Sequence, residues 1–91
     1  MRNYEFTVIF DANEEMTEKG QEFVTGQFAS AGVNVTKQED MGIRNFAYEI
    51  KKQDKGRYVY YEIEADSQSV NRISAELLLQ APVLKFLFVA K

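Results

Sequence analysis

The chain has 91 residues, with 45% apolar, 13% aromatic and 27% charged residues and a net charge of -3. That length allows one small core and excludes two ordinary domains, so residues 1–91 are expected to form a single domain. The balance excludes a disordered acidic tail. With no cysteine and no histidine, disulfides, thiolate zinc sites and the commonest general base are all missing; no catalytic residue, metal or cofactor is expected.

The segment Tyr4 to Asp11 alternates, with Tyr4, Phe6, Val8 and Phe10 on one face and Glu5, Thr7 and Ile9 on the other, which predicts a first strand. Asp11 to Gly32 changes to helical spacing through Met16, Phe23, Val24, Phe28 and Ala31. Glu14 and Glu15 fall in its first turn and Gly32 closes it. Gly20 and Gly26 each weaken this helix by about 1 kcal/mol relative to alanine, so packing must hold it.

A second strand starts at Val33, pauses at Lys37 to Asp40 and Gly42, and resumes over Ile43 to Ile50; the pause predicts a bulge. Lys51 to Gly56 reads as a polar turn leading into a third strand, Arg57 to Ala65. Asp66, Ser67 and Ser69 cap an amphipathic helix through Val70, Ile73, Leu77 and Leu78 that ends near Gln80, before Pro82. Val83 to Ala90 is the last strand.

The order β-α-β-β-α-β predicts an α+β, ferredoxin-like fold, a four-stranded antiparallel sheet with both helices on one face. If Phe6, Val8, Phe10, Val59, Tyr61, Ile63, Phe86 and Phe88 face the helices, period 2 sends Ile9, Tyr58, Tyr60, Leu87 and Val89 to the uncovered face. An apolar patch left bare in this way predicts a partner surface.

The carboxylate pairs Asp11 with Glu14 and Glu39 with Asp40 lack further ligands at metal spacing, and the five glycines are too far apart for a phosphate loop. An acylphosphatase-like hydrolase shares the strand order but needs a phosphate-cradling loop after the first strand, which is missing here. The basic residues lie at strand ends and in the hairpin: Arg2, Arg44, Arg57, Lys85 and Lys91, with Lys51, Lys52 and Lys55. Interleaved with Tyr4, Tyr48, Tyr58 and Tyr60, they offer phosphate pairing and base stacking together. An RNA-recognition module would place aromatics where Arg57 and Val59 stand in Lys55-Gly56-Arg57-Tyr58-Val59-Tyr60-Tyr61, so that mode of single-strand reading is disfavoured.

Gly42-Ile43-Arg44-Asn45-Phe46-Ala47-Tyr48-Glu49-Ile50 resembles the second-strand stretch of the bacterial ribosomal protein S6 family. The opening Met1-Arg2-Asn3-Tyr4-Glu5, the aromatic third strand after Lys55-Gly56 and the finish from Val83-Leu84-Lys85 to Val89 agree with it. The resemblance implies a ribosomal domain that binds 16S rRNA in the platform of the small subunit as a heterodimer with the small basic protein S18. The basic partner would explain how an acidic chain sits on RNA.

The resemblance carries RNA contact onto Arg2, Tyr4, Arg44, Tyr48 and Lys85, and the basic residues of the last strand add Lys91. The partner surface falls on the open face and the second-strand edge, with Tyr58, Tyr60, Phe46 and Leu87 as anchors. Ile43 and Asn45 stand where the family carries basic residues, which implies fewer direct phosphate contacts. A cytoplasmic protein, monomeric when isolated and with no membrane contact, is expected. The rival reading is a homo-oligomeric ferredoxin-like domain that binds a small ligand.

Overall fold

The computed structural model describes every residue from Met1 to Lys91. Its elements are β1 (Arg2–Asp11), α1 (Glu14–Ser30), β2 (Asn34–Ile50), β3 (Gln53–Ala65), α2 (Ser67–Leu77) and β4 (Val83–Ala90). They form one antiparallel sheet in the order β2-β3-β1-β4, the expected ferredoxin-like arrangement.

The core follows directly from the alternation in β1. Tyr4, Phe6, Val8 and Phe10 meet Val59, Tyr61, Ile63 and Ala65 of β3 and Val83 of β4, and together they pack on Val24 and Phe28 of α1 and Val70, Ile73 and Leu77 of α2. Phe6 sits at the centre, stacked on Phe88 at 4.3 Å between ring centroids and edge-on to Phe28 at 5.6 Å. Such aromatic pairs add to the burial of their area. Both helices therefore cover the same side of the sheet, and the opposite side has no layer over it.

Local signals fix the helix ends. Asn13 caps α1 by accepting the Met16 N–H at 3.2 Å, and Thr17 donates its hydroxyl to the Asp11 carbonyl at 2.7 Å. Gly20 lies against the Phe10 ring where a Cβ would collide, so the residue that weakens the helix also lets it approach the sheet. The chain leaves α1 through Gly32 at a φ of 70°. α2 ends at Leu77, one turn earlier than the sequence suggests, and Leu78 points to solvent instead of joining its apolar face.

The hairpin differs most from expectation. β2 runs unbroken through the polar stretch, and the predicted bulge appears as a register shift between Asp40 and Gly42, with Gly42 at a φ of 83°. The turn is only Lys51-Lys52, both left-handed at φ 50° and 65°, and β3 resumes at Gln53 opposite Ile50. A two-residue loop with both φ positive matches the right-handed twist of the strands it joins. Gly56 is therefore a buried strand residue rather than the end of a turn.

Candidate nucleic-acid interface

Register fixes which side chains share the uncovered side. One row runs Lys85, Ile9, Tyr58; the next Leu87, Thr7, Tyr60; the next Val89, Glu5, Glu62. Leu87 and Val89 are 60% and 45% exposed, an apolar strip along β4. No helix of the structure is long and apolar enough to cross a membrane.

The cations lie at one end of this face, Lys85 in the first row and Arg44 one row beyond it, opposite Gly56. Arg44 places its guanidinium 5.9 Å from the centre of the Tyr58 ring, and Phe46 lies 6.2 Å from the same ring. Phe46, Tyr48, Tyr58 and Lys85 line one shallow concavity. Tyr48 is 86% exposed, a ring face open to stacking. Neither Arg44 nor Lys85 takes part in an ion pair, so both charges are available to phosphate. Arg57, by contrast, is engaged with Asp40 at 2.9 Å, and Asp40 also accepts the Gly42 N–H.

The far end of the same face is electrically self-contained. Glu62 accepts from Lys91 at 2.7 Å and has Lys37 at 3.9 Å. The hydrogen bond from Lys91 holds the Glu62 carboxyl below its ordinary range and holds the Lys91 ammonium above its own. Local desolvation, with the charges of Glu5 and Glu62, pushes the Tyr60 phenol up, so it stays a neutral hydroxyl.

Of the six residues expected to meet RNA, the structure brings three together: Arg44, Tyr48 and Lys85. Arg2 pairs with Ala65 while Arg44 pairs with Gly56, which puts the two arginines at opposite ends of the sheet. Lys91 is committed to Glu62. Tyr4 is 7% exposed and belongs to the core, because its position in β1 shares the helix-facing parity of Phe6; its ring has no face to offer a base. Among the expected partner anchors, Tyr58 and Tyr60 are half-buried and Leu87 is open, whereas Phe46 packs within the protein.

Ile9 was expected bare but is only 8% exposed, since Phe46 and Gly56 close over it. Sequence reading also missed Lys51 as a structural cation: its ammonium donates to the Val83 carbonyl at 2.9 Å, tying the hairpin tip to the start of β4. The candidate carboxylate pair at the first helix is likewise structural, with Asp11 accepting the Asn13 N–H at 2.9 Å.

Known proteins share the sequence pattern and fold of this chain. The family model described as ribosomal protein S6 matches residues 3–90. Small ribosomal subunit protein bS6 of Treponema denticola is 38% identical over 89 residues, covering 98% of this chain and 96% of that protein. The Thermus thermophilus protein of the same name is 28% identical over 91 residues, covering 98% and 90%. The crystal structure of 30S ribosomal protein S6 from Thermotoga maritima superposes with a TM-score of 0.88 at 28% identity, covering 99% of this chain and 87% of that one. The C-terminal domain of the MgtC protein from Mycobacterium tuberculosis, at 15% identity and a TM-score of 0.67, shares the fold alone. A match along nearly the whole chain, joined to the same sheet and helices, means that this chain belongs to the ribosomal protein S6 family of the bacterial small subunit.

Proposed function

We propose that this chain is a structural component of the small subunit that binds 16S rRNA in the platform as a heterodimer with ribosomal protein S18. Arg44, Lys85 and Tyr48 meet the RNA, and Tyr60, Leu87 and the Tyr58 edge meet the protein. The observation that carries this reading is the division of the uncovered face. Unpaired cations and an open aromatic ring lie at one end, an apolar strip runs along β4, and a neutralised carboxylate cluster closes the other end.

Charge explains why a partner is needed. The protein carries a net charge of -3, so two or three phosphate contacts must work against a repulsive overall field. A basic partner seated on the strip would reverse that field and add its own contacts. The free chain is then a monomer of one domain, confined to the cytoplasm where subunits assemble, and it acts by binding rather than by catalysis.

Gel-shift titration of a platform RNA fragment, with and without S18, tests the proposal. Weak binding by the isolated chain and tight binding by the pair are expected. Equal affinities in the two titrations would remove the heterodimer, and no binding in either would remove the RNA contact.

A further inference from the structure

The β2–β3 hairpin reaches beyond the rest of the sheet. β1 pairs with β3 only as far as Asp11 opposite Gly56, whereas β2 and β3 run on to Asn45 opposite Lys55 and close at Ile50 opposite Gln53, with a register break between them that leaves Phe46 to Glu49 facing Asp54 alone. Past Gly56 the ribbon has no third strand beside it, and a bare two-stranded ribbon is marginal in water. Arg44 lies where this arm begins and Tyr48 lies along it, while Lys85 stands on β4. The arm's angle therefore decides whether the three can meet one ligand.

Two contacts fix that angle. Lys51 at the tip donates to the Val83 carbonyl at 2.9 Å. At the root, the Phe46 ring folds down onto Gly56, where the space is closed: a Cβ there would come within 2.6 Å of Ile9 Cγ2, 2.8 Å of the Phe10 carbonyl oxygen and 2.8 Å of Phe46 Cζ. The carbonyl is backbone and cannot swing aside, so a side chain at residue 56 would lift Phe46 away. Phe46 in turn packs on Tyr58, the ring that carries Arg44.

We propose that Phe46 and Gly56 form a latch that sets the pose of the arm, acting as positioning residues for RNA binding without touching the RNA themselves. This rests on the RNA-binding reading above and deepens it. The latch holds Arg44 and Tyr48 against the Lys85 side of the sheet before RNA arrives, so the ordering cost is met by folding and not by binding. It also gives the half-buried Phe46 an intramolecular role in place of partner contact.

The test uses the chain with S18 and a platform RNA fragment, comparing Phe46→Ala, Phe46→Leu and Gly56→Ala by affinity across a salt series and by amide hydrogen exchange over residues 43–55. Phe46→Ala should weaken binding roughly tenfold or more through lost preorganisation. It should also flatten the dependence of log K on log salt by about one phosphate contact and speed exchange along the arm. Phe46→Leu, which refills the space, should restore most of all three readouts, and Gly56→Ala should copy Phe46→Ala wherever it folds.

Unchanged affinity and salt slope in Phe46→Ala would overturn the latch. So would weaker binding with arm exchange still slow, because the ring would then be meeting the RNA directly. Failure of the parent pair to bind RNA would strike the function instead, and the exchange data alone would judge the latch.

Discussion

The two sides of the sheet are built from the same strands and are both rich in aromatic rings, yet they behave as different materials. On the helix side Phe6, Val8, Phe10, Val59, Tyr61 and Ile63 are essentially sealed from water. On the other side Tyr58, Tyr60, Leu87 and Val89 come from the same strands one residue out of step and keep contact with solvent. Apolar character alone does not decide what is core. A covering layer does, and the period of two assigns each residue to the covered or the bare side.

The largest effect that could break this contrast is Phe6→Ala, which should cost about 3 to 5 kcal/mol of unfolding free energy, since it opens a hole where Phe28, Tyr61 and Phe88 converge. Urea denaturation measures it. A loss no greater than that of a bare-side variant would mean the faces are reversed.

Arg44→Ala should weaken partner-assisted RNA binding by about 1 to 3 kcal/mol and leave the unfolding midpoint almost in place. An unchanged titration would take Arg44 out of the interface. Leu87→Ser on the strip should shift stability by no more than about 0.5 kcal/mol and weaken the S18 complex by about 1 to 2 kcal/mol. Calorimetry of the two proteins would show whether the strip is where they meet.

The smallest effect at neutral pH belongs to Tyr61→Phe. The Tyr61 hydroxyl is buried without a partner, and burial pushes its phenol up to about 12. Removing an unpaired buried hydroxyl is close to neutral or mildly stabilising.

The difference emerges in alkali. The unfolded chain ionises this phenol from about pH 10 upward, while the folded chain keeps its proton until about 12. Across that window the unfolded state holds fewer protons, so stability falls as pH rises. The phenylalanine variant should lose less stability over the same window. Parallel pH profiles for the two proteins would show that this phenol is not responsible.

The order of elements and the split between faces were legible because both rest on periodicity, which neighbours in sequence determine. The hairpin was not. Lys51-Lys52 carries none of the glycine or asparagine that marks a two-residue turn, so Gly56, the nearest glycine, was read as the turn's end. Its actual role depends on Phe46, ten residues earlier, folding back across the strand.

The burial of Tyr4 follows from its parity with Phe6 in β1, a local signal that outweighs the RNA contact implied by resemblance. The separation of Arg2 from Arg44 follows from antiparallel pairing, which turns the start of one strand toward the end of its neighbour's. Lys91 looked like a free cation because its pairing with Glu62 needs two strands brought side by side.

β2 is the outermost strand and runs for 17 residues with nothing beyond it. A long straight rim of this kind would invite other copies to zip on, but its backbone spacing is broken between Val35 and Lys37 and again between Asp40 and Gly42, and Lys37, Glu39 and Asp40 crowd the margin with charge. Interrupted rhythm and charged margins are how proteins discourage edge-to-edge growth. The irregularities that spoil the strand's geometry thus make it a poor template for a further strand.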